Sequence, residues 1–159
     1  MKKIFMMLLL AVCCTQLFAQ SATQIFTDYR TVKGVKSTEI PEWMMKMARN
    51  KKMKDSISHK VLDGIDSMWV LEMSDCSRSK KNRFGERVQD LLNFGYDEIL
   101  RTDDDGDNVS IMAKAKNGVF TDILLFIKKD DGGCQAVLIR GHVRTEDVKE
   151  VVKMAGHDD

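Results

Sequence analysis

The stretch whose reading decides the fold runs from Val109 to Ile127, VSIMAKAKNGVFTDILLFI. Two runs of apolar and β-favouring residues flank Asn117-Gly118, a pair suited to a two-residue turn with positive φ at both positions and hence a strong hairpin signal. Such a turn sets the register: Lys116 opposite Val119, Ala113 opposite Asp122, Val109 opposite Phe126. One face then carries Val109, Ile111, Ala113, Ala115, Phe120, Leu124 and Phe126, and reads as the core side with Asp122 its one polar intruder. The other carries Ser110, Met112, Lys114, Lys116, Val119, Thr121, Ile123 and Leu125.

Outward from the hairpin the same alternation continues. Downstream, Asp130-Asp131-Gly132-Gly133 turns the chain into a strand from Cys134 to Arg140, ended by Gly141. A last helix opens at Thr145 or Glu146 with Val148, Val151, Val152 and Ala155 inward. Upstream, Tyr96 to Arg101 reads as a strand, preceded by a helix that Ser77 or Ser79 caps and Gly95 stops. Phe84, Val88, Leu91 and Leu92 form the inward side of that helix. Met68-Trp69-Val70-Leu71 is continuously apolar, the mark of a strand buried on both faces. A helix from Met53 to Asp63 leads into it, broken at Gly64. Pro41 fits the first turn of another helix, whose apolar stripe is Trp43, Met44, Met47 and Ala48, with Lys46, Arg49, Lys51 and Lys52 on the wet side. A short strand from Val32 to Ile40 and a helix from Ser21 to Arg30, burying Ile25, Phe26 and Tyr29, complete the pass. The expected fold is α+β: a two-layer sandwich with a mostly antiparallel sheet of about five strands and helices packed largely on one face.

The start of the chain reads as an address. Lys2-Lys3 precede an apolar run from Ile4 to Cys14, and Ala19 supplies a small residue at the exit, the layout of a secretory signal peptide. The run is short of the ~20 residues a membrane span needs. Cleavage between Ala19 and Gln20 is expected, so residues 1–19 are a signal peptide and residues 20–159 a single exported domain. The alternative is lipidation at Cys13 or Cys14, which would anchor the protein to a membrane; the preceding residue is then Val12 or Cys13, not the small one such processing prefers. Removing Lys2 and Lys3 leaves 23 basic residues against 24 acidic ones, a net charge of −1. That balance offers no field for steering a nucleic acid. Cys76 and Cys134 survive processing, and an oxidising compartment would let them pair as a disulfide.

Residues 101–111, RTDDDGDNVSI, set three aspartates at calcium-loop spacing: Asp103, Asp105 and Asp107. The second half of the pattern fails, because Lys114 stands where a bidentate glutamate belongs and Val109/Ile111 alternate as in a strand. The stretch reads as a turn, with a weak cation site as the lesser alternative. Arg78-Ser79-Lys80-Lys81-Asn82-Arg83 reads as a solvated helix face. His59, His142 and His157 lie in no metal-ligand spacing, and no GxSxG, SxxK or glycine-rich phosphate loop occurs. No catalytic residue, cofactor site or metal ligand set is therefore assigned. Of the eight methionines beyond the leader, Met44, Met45, Met47 and Met53 lie on or beside the Trp43 helix, where they either fill the core or form a soft binding groove.

Phe26 and Tyr29 ahead of Gly34-Val35, the segment from Ile40 to Met45, Gly95-Tyr96-Asp97-Glu98-Ile99-Leu100, the Lys116-Asn117-Gly118 hairpin and Gly141 together resemble a family of small exported Bacteroidetes proteins classed as a domain of unknown function, DUF4252-like. The resemblance implies an envelope location and an α+β fold, and implies no catalytic residue, ligand or partner. The expectation is an exported, periplasmic or secreted module that binds a protein or small ligand of the envelope and is not an enzyme. The alternatives are a hydrolase-like enzyme with an unrecognised site and the weak cation binder.

Overall fold

The computed structural model describes residues 20–49, 56–104 and 106–148. The leader at residues 1–19, Asp105, and the predicted inward residues Val151, Val152 and Ala155 lie outside them, as do the side chains of His59 and His157. Helices α1 (Ala22–Tyr29), α2 (Glu42–Arg49), α3 (Ser56–Asp63) and α4 (Arg78–Asp90) are interspersed with strands β1 (Lys36–Ile40) and β2 (Ile65–Glu72) and followed by the consecutive strands β3 (Asp97–Asp104), β4 (Asp107–Lys116), β5 (Val119–Lys128) and β6 (Cys134–Arg144). A single 3-10 turn, Leu91–Phe94, extends α4, and residues 145–148 are helical. The expected α+β architecture is present, with six strands where about five were expected, in the order β1-β2-β6-β5-β4-β3 and antiparallel throughout.

The main helical layer covers one face. Ile25 and Phe26 of α1 and Phe84 and Val88 of α4 pack on Leu71, Met112, Leu124, Phe126, Ala136 and Leu138. Aromatic edges knit the layer, with Phe84 5.5 Å from Phe126 and 4.9 Å from Tyr29. A smaller core lies at one end of the opposite face, where Met45 of α2 and Val61 and Leu62 of α3 meet Ile40, Ile123, Ile139 and Val143.

The hairpin forms at Asn117-Gly118, both residues having positive φ, and Lys116 pairs with Val119 as expected. The register beyond the turn is corrected. A bulge at Thr121 shifts the pairing by one, so Ala113 faces Ile123, Val109 faces Ile127, and Asp122 stands opposite Lys114. Because side chains alternate with a period of two, that one extra residue exchanges the faces of β4. Ser110 and Met112 thereby enter the helix-covered core, while Val109 and Ile111 turn to the opposite face. Three further expectations are corrected. Gly141 does not end β6, which continues to Arg144; glycine is required there because a Cβ would come within 2.9 Å of the Ile65 Cα and the Asp66 nitrogen. Leu92 is 43% exposed because the last turn tightens to 3-10 geometry after Asp90. Finally, α2 is rotated: among its described side chains Met45 is the one buried, whereas Trp43, Met44 and Met47 face outward; the side chain of Ala48, the fourth residue of the expected stripe, lies outside the described ones.

Candidate functional site

The bulge that moves Asp122 places it in a polar cluster that spans several elements. The Tyr96 hydroxyl donates to Asp122 Oδ2 at 2.7 Å and accepts the Ala22 backbone amide at 3.1 Å. Arg140 Nε lies 3.5 Å from Asp122 Oδ1, and Lys114 Nζ sits 5.4 Å from the centre of the Tyr96 ring. Tyr96 is almost wholly buried. Burial raises its pKa above the ordinary tyrosine value, the Ala22 amide opposing that rise and Asp122 reinforcing it. The carboxylate that looked like an intruder is therefore a knot tying α1 to three strands.

A groove of about 460 Å³ opens beside this knot, lined by Asp66, Ser67, Lys114, Thr121, Asp122, Arg140, Gly141 and His142. Backbone contact between Gly64 and β6 brings two of its walls together, the His142 amide donating to the Gly64 carbonyl at 2.6 Å. His142 Nδ1 stands 3.3 Å from Asp66 Oδ2, both side chains being well exposed. The structure thus gathers His142 and two carboxylates, Asp66 and Asp122, from three segments far apart in sequence, with Ser67 beside Asp66. Position alone linked none of them; Asp122 was marked only by its polarity within an apolar run.

Two adjoining grooves lie under α4. One of about 510 Å³ includes Gln89, Arg101, Asp103 and Lys128; the other, of about 600 Å³, includes Arg78, Lys81, Lys129, Asp130 and Asp131. The basic cluster of α4 proves to be a clamp as well as a wet face. Lys81 donates to the carbonyls of Ser74 and Gly132 at 2.8 and 2.6 Å, and Lys80 to that of Lys33 at 3.1 Å.

Of the three sequence-selected aspartates, Asp103 lies near the end of β3 and Asp107 opens β4, while Asp105 is outside the described residues. Asp103 pairs with Asn108 and Asp104 with Asp107, which sets Asp103 and Asp107 on opposite faces of the hairpin. Asp107 Oδ1 instead accepts the Asp130 amide at 3.0 Å, bracing one turn against the next. Cys76 and Cys134 are free thiols, both buried in the main core. They neighbour one another: Met73 donates its amide to the Cys134 carbonyl at 2.8 Å, and Cys76 donates to that of Met73 at 2.9 Å. Burial pushes the Cys134 thiol pKa up, with Lys81 and Lys128 opposing, so it is a poor nucleophile.

The remaining feature is the outer face of α2. Trp43 and Met47 are each 60% exposed and Met44 44%. At helical spacing they share an arc of about 100°, and Met45, on the other side, anchors the helix to the sheet. Lys46 flanks the arc and pairs with Glu42 at 2.7 Å. The sequence marked these apolar residues, and assigned them to the wrong side.

No helix among the described residues is long and apolar enough to cross a membrane. No curated protein and no solved structure matches the chain. The family model described as a domain of unknown function, DUF4252, matches residues 29–151, from the end of α1 past the last strand, and the chain belongs to that family.

Proposed function

We propose that this protein is an exported module of the periplasm or cell envelope that works by binding and not by catalysis. The observation that carries this reading is the outward face of α2. Three large apolar side chains stand in water on a helix that is already anchored through Met45. Contiguous exposed apolar surface is costly for a monomer and marks interaction sites. Methionine beside tryptophan also suits adaptable contact surfaces. Export rests on the Met1–Ala19 leader. The test is capture from native envelope extract, comparing the wild type with Trp43→Ser/Met47→Ser. A retained component that the variant loses supports the reading; equal retention by both refutes it.

The 460 Å³ groove favours a second reading, a hydrolase-like enzyme using His142 with Asp66 and Ser67. An exposed imidazole paired with a carboxylate is the arrangement of an oriented general base. Hydrolysis of simple esters that His142→Ala abolishes would establish it; equal rates in the two proteins would remove it.

A further inference from the structure

We infer that Cys76 and Cys134 are the two halves of a disulfide that ties the end of β2 to the start of β6. The structure holds them as free thiols, the reduced form of that pair. The inference rests on the export reading above for its oxidising surroundings, and on nothing in the binding reading.

The backbone sets both cysteines against one residue, Met73. On one side, the β2–β6 ladder pairs Glu72 with Gln135. Its next rung places Met73 opposite Cys134, and the Met73 amide donates to the Cys134 carbonyl at 2.8 Å. On the other side, the Cys76 amide donates to the Met73 carbonyl at 2.9 Å. That bond closes a four-residue turn, whose first and last Cα atoms lie within about 7 Å of one another. Lys81 then fastens the two segments together. Its ammonium donates to the carbonyls of Ser74 and Gly132, each two residues before a cysteine. The sulfurs are close enough to influence each other's charge. Burial acts most strongly on the Cys134 thiol and raises its pKa, Lys81 and Lys128 lower it, and Cys76 raises it again.

The chemistry agrees with the position. Both side chains belong to the main core, which an apolar S–S bond suits. Cys76 Sγ contacts the Lys33 carbonyl at 4.0 Å, a weak bond to surrender. Both cysteines are buried in the finished fold, so exchange belongs to folding, while the turns are still open. The thiolate of one cysteine attacks a small-molecule or protein disulfide, forming a mixed disulfide and releasing one thiol. The thiolate of the second cysteine then attacks the sulfur of the first and displaces the other thiol. The two cysteine protons leave on the two released thiols, and the donor disulfide takes up the two electrons that the chain gives. The product encloses α4 and β3 to β5 in one covalent loop, and a long loop is where a cross-link constrains the unfolded chain most.

The experiment refolds the full chain from urea with oxidised glutathione and digests it with trypsin without reduction. Cys76 and Cys134 fall in separate peptides, residues 61–78 and 130–140. A linked species of these two, separated by dithiothreitol, reports this pair and no other, and it should account for most of the protein. The oxidised protein should melt roughly 10 °C above the reduced one, whereas Cys76→Ser/Cys134→Ser should melt alike with and without dithiothreitol. Recovery of both peptides as free thiols, or as separate glutathione adducts, overturns the inference. An oxidised form that melts no higher than the reduced one also overturns it, because strain would then cancel the tie. An equal reductant-dependent shift in the double variant does the same. Each of these failures leaves the export reading standing, since the oxidant is supplied in the tube.

Discussion

Replacing Tyr96 with phenylalanine removes one atom and breaks two connections. The hydroxyl donates to Asp122 Oδ2 at 2.7 Å and accepts the Ala22 amide at 3.1 Å. The first is a bond to a charged group, a class worth about 1.5–3 kcal/mol; losing the second leaves a buried amide unpaired, at about 1–3 kcal/mol. The two losses do not add fully. Asp122 retains Arg140 and is 14% exposed, so water can replace part of what is lost. A net cost of about 2–4 kcal/mol follows. At roughly 4 °C per kcal/mol for a domain of this size, the melting temperature should fall by about 8–16 °C. Urea unfolding followed by tryptophan fluorescence measures the change directly, with the slope unaltered. A destabilisation below about 0.5 kcal/mol would refute the knot as a structural tie.

The same residue gives a pH signature. Burial, the largest influence, raises the Tyr96 pKa above its ordinary value, so the folded state holds that proton more tightly than the unfolded chain does. Its contribution is therefore complete below about pH 10, the unfolded value, and is lost as the pH rises toward and through the raised one. Between about pH 10 and 12 the wild type should lose stability more steeply than Tyr96→Phe, and the two curves should converge. Parallel curves would contradict the argument.

Ser110 Oγ is buried without a hydrogen-bond partner among the described residues, so Ser110→Ala should be neutral or stabilising by up to about 1 kcal/mol in denaturant titration. A loss above about 1 kcal/mol would show that a partner had been removed. Gly141→Ala drives a methyl into the Gly64–Asp66 backbone and should cost upwards of about 3 kcal/mol, beyond the usual overpacking range because backbone cannot step aside; a stable, soluble variant would contradict the close approach. Since Asp103 and Asp107 sit on opposite faces of their hairpin, millimolar calcium should leave the melting temperature unmoved; a rise would revive the cation site, because binding to the native state must stabilise it. Reduced Cys76 and Cys134 should resist alkylation in the native protein and react fully in urea, as buried thiols with unfavourable ionisation do. Mass measurement of the unreduced protein then reports pairing, a value two units below the reduced form marking an intramolecular disulfide.

Much of the fold was readable along the chain because it depends on local chemistry. Asn117-Gly118 turns where only positive φ is tolerated. Phe84, Val88 and Leu91 recur at helical spacing and all are buried. Met68 to Leu71 forms a strand as expected, although only Leu71 is buried and Met68, Trp69 and Val70 are half-buried where burial on both faces was expected. The site was much less readable. Asp122 was visible as an exception, but Tyr96, Arg140 and Lys114 answer it from positions that no periodicity connects. His142 and Asp66 meet only because Gly64 lets two backbones close on one another.

Two errors show where local reasoning stops. Alternation assigns residues to two faces, but a single bulged residue exchanges those faces, and nothing in the local pattern around Thr121 announces it. Amphipathic spacing likewise finds the apolar arc of α2 without telling which neighbour will claim it. Met45 won the core position because Ile65 and Val143 stood ready beneath it, and Trp43, Met44 and Met47 were left to the solvent. The sequence by itself determined the turns, the helix and strand periods and the family. Tertiary structure alone decided which apolar residues are hidden and which are offered, because that choice depends on contacts between segments far apart in the chain.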